Sequence, residues 1–79
     1  MAEDQGHRKI ELAEAHQRAL LAVGKLPETY RQAFVLRHLA DFSYLQIAET
    51  MDIPANSVGS LLLRARRLLR EELGEETKP

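Results

Sequence analysis

The segment from Ser43 to Arg70, "SYLQIAETMDIPANSVGSLLLRARRLLR", decides the fold. It opens with Ser43 and Gln46 at the spacing of a capping box, in which the serine hydroxyl accepts from a free amide and the glutamine side chain reaches back. A short helix ending near Met51 follows. It breaks at "DIPANS", where Asp52 tolerates a left-handed conformation better than most residues and Pro54 cannot continue the helix. A longer helix then extends from about Ala55 to Leu73, with Gly74 behind it as a stop signal.

A short helix, a tight turn and a longer basic helix make a helix-turn-helix candidate. The apolar pattern agrees: Ile47, Ala48 and Met51 face inward from the first of the pair, and Ile53 plugs the turn. At about 100° per residue, Val58, Leu62, Ala65 and Leu69 form one stripe on the second. Leu61 and Leu68 lie beside that stripe and widen the core contact toward the first helix of the chain. Any αα-hairpin can show these features, so the pattern alone leaves DNA binding open.

The opposite face of the basic helix is more informative. Asn56, Gly59, Ser60, Leu63, Arg67 and Arg70 point away from the stripe, with Arg64 on one flank and Arg66 on the other. From Asn56 to Arg70 there are four arginines and no acid, whereas Glu71 to Glu76 holds four glutamates. Polar groups near the helix start can reach base edges, and arginines further along can meet phosphates or a guanine edge. Leu63 can only make apolar contact, with a thymine methyl or a protein partner, or it is an ordinary exposed leucine. Gly59 is odder, because glycine inside a helix costs about 1 kcal/mol relative to alanine. Close approach of DNA or of another helix would account for it, as would a site with no selected side chain.

Upstream, the punctuation marks out two more helices. The first runs from about Arg8 to Val23, with Leu12, Ala15, Ala19 and Val23 on one face and Gly24 as its C′ residue. The second follows Pro27 and carries Tyr30, Ala33, Phe34, Val35 and Leu36, apolar on more than one face and so expected to be central and largely buried. Residues 1–7 read as a flexible leader, residues 8–74 as the domain and residues 75–79 as an acidic tail.

Composition narrows the class further. At 79 residues and 5% aromatic content, with Ala, Leu, Glu and Arg dominant, the chain is one small all-α domain with a thin stability margin. It has no cysteine, which removes disulfides and thiolate metal sites and fits a cytoplasmic setting. No run approaches the ~20 apolar residues that span a bilayer, so no membrane partner is expected. The formal charge of −1 argues against indiscriminate nucleic-acid binding and confines any anion site to one helix. His7, His16 and His38 are the histidines; His7 and His16 fall on opposite sides of a helix, and no glycine-rich phosphate loop is present. The expectation is therefore a non-enzyme with no cofactor, no metal site and no small-molecule ligand.

With these residues in place, the chain resembles the region 4 domain of bacterial RNA polymerase sigma factors, most of all the extracytoplasmic-function (ECF) group. Four parts between Leu26 and Leu73 carry the likeness: Leu26-Pro27-Glu28, "FVLRHLADFSYLQIA", Ile53-Pro54 and "SVGSLLLRARRLLREEL". The resemblance implies a four-helix, winged-helix-like DNA-binding domain that recognises the promoter −35 element as double-stranded DNA. It also implies docking on the β flap of the RNA polymerase core, with an anti-sigma factor as a further partner. Carried over by position, the DNA contacts are Ser43, Tyr44, Asn56, Ser57, Ser60, Leu63, Arg64, Arg66 and Arg67, with Arg37 supporting the DNA-facing side.

The family commonly carries basic residues at the positions of Gly59 and Leu61, a polar or aromatic residue at Leu63 and glycine at Asp52. These departures leave a second function open, a protein-interaction module of the same fold with weak DNA binding. Region 2 of the family has no counterpart here, so the expectation is an excised domain or a stand-alone region 4 protein.

Overall fold

The computed structural model describes the backbone of residues 2–74 and the side chains of residues 9–74. Four helices account for most of this span: α1 (Ala2–Gly24), α2 (Glu28–His38), α3 (Tyr44–Met51) and α4 (Ala55–Glu72). Among the described residues there is no strand. The helices α2, α3 and α4 pack on one another around Ala33, Ile47, Ala48, Val58 and Leu62, with Leu36, Phe42, Met51, Ile53 and Leu61 half-buried around them.

The core pair forms as its local chemistry dictates. Ser43 Oγ accepts from the Gln46 amide at 3.1 Å and the Ser43 amide donates to Gln46 Oε1 at 2.8 Å, so the capping box closes in both directions. A cap of this kind contributes about 1 kcal/mol, a useful fraction for an eight-residue helix. At the other end Asp52 takes the left-handed conformation (φ 57°), which lets the Ile53 amide reach back to the Ala48 carbonyl at 3.0 Å. Pro54 then sits as the N-cap of α4 in extended conformation. The break between α3 and α4 is thus three residues long, and the αL residue in it sets the direction in which α4 leaves.

The connections on either side of α2 are pinned by arginines. Arg31 donates to the Leu26 carbonyl at 3.1 Å, holding the turn whose Leu26 side chain is buried. Arg37 donates to the Phe42 carbonyl at 2.9 Å and so fixes the loop that leads into α3. In that loop Asp41 adopts φ 62°, a second left-handed aspartate that nothing in the sequence pattern singled out. Gly74 closes α4 with φ 76°, its amide donating to the Glu71 carbonyl.

The first helix differs most from its sequence pattern. It begins at Ala2, six residues before the expected Arg8, and so runs through residues 2–7 of the expected leader. Gly24 is its last helical residue and is not left-handed; the chain turns instead through hydrogen bonds from Lys25 and Leu26 to the Ala22 and Val23 carbonyls. Only the carboxyl end of the apolar face is covered. Ala22 and Val23 are buried, but Leu12 is 64% exposed and Ala15 is exposed too, because no other described element reaches that far along α1. The expectation for α2 is also corrected in part: it touches every other helix, yet Ala33 alone is fully buried while Tyr30, Phe34, Val35 and Leu36 are half-buried. Met1 and the acidic tail, residues 75–79, lie outside the described residues.

Candidate nucleic-acid interface

The outer face of α4 is open along its length. Asn56, Ser60, Leu63, Arg64, Arg67 and Arg70 are exposed, while Val58, Leu62 and Ala65 are fully buried on the inner side. The helical projection therefore assigns Val58, Leu62 and Ala65 inward and Leu63 outward, the 54% exposure of Leu63 separating it from Leu62 next to it, whereas Leu69 of the expected stripe and Gly59 of the expected outer face are both half-buried. Leu61 is half-buried and packs against the core, widening it as the pattern predicts, and it borders a groove shared with Thr29 and Tyr30.

The nine residues carried over as DNA contacts fall into three groups. Asn56, Leu63 and Arg67 form the crest of α4. Ser57, Ser60 and Arg64 lie on one flank, where with Thr29, Tyr30 and Ile53 they line an open groove of about 420 Å³ between the starts of α2 and α4. Ser43, Tyr44 and Arg66 belong to the other flank, beside α3 and the end of α2. Arg64 and Arg66 are about 160° apart around α4, so these two cations cannot serve one phosphate.

Hydrogen bonds already in place restrict what the serines can do. The Ser60 hydroxyl donates to the Ser57 carbonyl at 3.2 Å, which leaves its oxygen free to accept but commits its proton. Ser43 is the reverse case: its oxygen accepts from the Gln46 amide, and its own proton remains free for an incoming acceptor. The first turn of α4 has no side-chain cap; the Ser57 amide donates to the Pro54 carbonyl at 3.0 Å, which leaves the amides of Ala55 and Asn56 for an outside acceptor.

The flank beside α3 is built as a stack. The Arg37 guanidinium lies 5.1 Å from the centre of the Tyr44 ring, and Tyr44 in turn lies beside Gly59. A methyl group built on Gly59 would stand 3.7 Å from Tyr44 Cε2, an ordinary contact. No helix approaches closely enough to require glycine there. Gly59→Ala is expected to raise stability by about 0.5–1 kcal/mol, read as a higher urea midpoint with unchanged slope. A lower midpoint would mean that Tyr44 has no room to give.

His38, at the end of α2, is a neighbour that the sequence reads as an ordinary surface or partly buried histidine rather than a catalytic or metal residue. Its ring stands 4.4 Å from that of Phe34, one turn earlier. Partial burial, then the charges of Arg66 and Arg37, hold its pKa below the ordinary histidine value. The i, i+4 spacing of Phe34 and His38 was visible in the sequence; the approach of Arg66 from α4 was not.

Among the described residues, no group of three or more His, Asp or Glu could hold a metal ion, and no helix is long and apolar enough to cross a membrane. The side chain of His7 lies outside the described residues.

Comparison with known proteins places the chain in a family. The family model for sigma-70, region 4 matches residues 16–69. The chain is similar to the ECF RNA polymerase sigma factor SigW of Bacillus subtilis, with 34% identity over 64 residues, 81% of this chain and 33% of that protein. It is also similar to the ECF RNA polymerase sigma-E factors of Haemophilus influenzae (39% over 51 residues, 65% of this chain and 27% of that protein) and Escherichia coli K12 (39% over 56 residues, 71% and 29%). The chain thus spans about a third or less of the length of these curated relatives.

Proposed function

The chain belongs to the sigma-70 region 4 family, and from that premise we propose that it reads promoter DNA at the −35 element by laying α4 in the major groove. One observation carries this reading: the outer face of α4 is exposed with Arg64, Arg67 and Arg70 on it, half-buried Arg66 flanks it, no acid interrupts it from Asn56 to Arg70, and it is presented by a capped α3 and a three-residue turn. Helices delivered in this way place the residues of their first turns against base edges, while cations further along meet the backbone. The uncapped first turn of α4 adds amides and a positive helix end that favour a nearby phosphate.

In this reading Asn56, Ser57, Ser60 and Arg64 reach toward bases, and Ser43, Tyr44, Arg66 and Arg67 contact the backbone. Leu63 supplies apolar contact to a thymine methyl. The protein acts by binding and catalyses no reaction of its own; its partners are the duplex and RNA polymerase core through the β flap, which sets its place in the cytoplasm. The test is duplex selection from a randomised pool, followed by affinity at graded salt. A selected duplex should outbind a random one, and each phosphate neutralised should steepen the logarithmic salt slope by roughly 0.9. Equal, salt-insensitive binding to all duplexes would sink the proposal.

A second reading has its own support in exposed apolar side chains. Leu63 on α4 and Ile10, Leu12, Leu20 and Leu21 on α1 are uncovered, as in a domain that also engages protein, an anti-sigma factor or the polymerase flap. Loss of duplex binding with retained capture of either protein would favour it.

A further inference from the structure

Three elements converge at the end of α2. Arg37 and His38 come from its last turn, Tyr44 from the start of α3 and Arg66 from the middle of α4. Two of these groups are already engaged: Arg37 donates to the Phe42 carbonyl and lies over the Tyr44 ring. His38 is exposed, and among the described residues its ring nitrogens have no hydrogen-bond partner. Its contact with Phe34 fixes the ring without using either nitrogen.

The charges around this imidazole share one sign. Arg66 faces it from α4 and Arg37 from its own helix, and both act against its protonation. Asp41, the nearest acid along the chain, is not among the groups that move it, and Glu49 belongs to the far end of α3. The carboxyl end of α2 should favour an imidazolium. Burial and the two guanidinium groups outweigh it, since the net direction is downward. An exposed histidine with free nitrogens, its protonation opposed by two nearby cations, is poised to reverse when an anion arrives. A phosphate between His38 and Arg66 would change the sign of the local potential and accept the new N–H.

We propose that His38 is a phosphate-contacting residue of the α3-side flank, joining Arg66 and Tyr44, and that duplex binding at this flank takes up one proton at its imidazole. This rests on the duplex-binding reading above. By linkage, affinity should rise as pH falls, about tenfold for each unit by which the bound duplex raises the His38 pKa. The acid form also adds one neutralised phosphate, so the logarithmic salt slope should be steeper by roughly 0.9 at the acid end.

The experiment uses the full chain and a random-sequence duplex of about two helical turns, roughly 21 base pairs, at low salt, because a phosphate contact needs no particular sequence. Histidine ring resonances are titrated with and without duplex, and affinity is measured by fluorescence anisotropy from about pH 5.5 to about pH 8 for the wild type, His38→Gln and His16→Gln. Glutamine keeps hydrogen-bonding capacity but cannot take the proton. The expected result is an upward shift of the His38 titration on adding duplex, with the affinity gain at low pH lost in His38→Gln and kept in His16→Gln. Duplex binding with the same pH dependence in wild type and His38→Gln would overturn the role of His38 and leave the promoter reading standing. Failure of both random and selected duplexes to bind at any pH would overturn both.

Discussion

Replacing Leu62 by alanine should remove about 2–5 kcal/mol of stability. Leu62 is fully buried in the cluster formed with Ala33, Ile47, Ala48 and Val58, where α2, α3 and α4 meet. Two members of that cluster are alanines, so the helices already approach closely and have little side chain with which to fill a void. Partial collapse is therefore limited, and the cost should fall in the upper part of the range. A chain of 79 residues has a total stability of only about 4–12 kcal/mol, so the variant should be partly unfolded at ordinary temperature or close to it. Urea unfolding followed by circular dichroism checks this, with Leu63→Ala as the control. Leu63 is the same residue type one position along and exposed, so its truncation should stay within about 0.5 kcal/mol. Equal effects at the two positions would mean that α4 is seated with a different face inward.

That contrast between neighbours was legible because both signals are local. The period of α4 separates Leu62 from Leu63 without knowledge of any partner, and Ser43, Gln46 and Asp52 declare the ends of α3 through side chains acting within a few residues. The α1 pattern was equally periodic and yet misleading: Leu12 and Ala15 lie on the face that continues to the buried Val23, but periodicity says which way a side chain points and not whether anything covers it. Gly24 failed for a related reason. Glycine permits a left-handed turn, and here hydrogen bonds from Lys25 and Leu26 make the turn without one. The groove beside Thr29 and Tyr30 and the influence of Arg66 on His38 both depend on how α2 and α4 approach in space. No spacing along the chain encodes that approach. The resemblance supplied the candidate contacts as one set, and the fold divides them between two flanks and a crest.

This division makes Arg64 the more exacting test of base reading. Unlike Arg66, which is half-buried beside His38, Arg64 is exposed at the edge of the groove with Ser57 and Ser60, and it has no carboxylate partner among the described residues. Its guanidinium is free to present two parallel donors to a guanine edge, a contact worth about 1–3 kcal/mol. Arg64→Ala should then weaken binding to the selected duplex by roughly 5- to 150-fold and relax preference at one base position. Its fold should be unaffected, because the side chain supports nothing in the core. Arg64→Lys sharpens the result: lysine keeps the charge but lacks the planar fork, so the salt slope should persist while base preference is lost. Arg67→Ala, on the crest, should instead weaken binding about equally for all sequences and lower the salt slope by about 1. Unchanged affinity of Arg64→Ala for the selected duplex at moderate salt would refute base reading by this arginine. Sequence preference would then have to come from the crest, where Asn56 and Arg67 are side chains able to pair with a base edge through two hydrogen bonds, Asn56 with adenine and Arg67 with guanine.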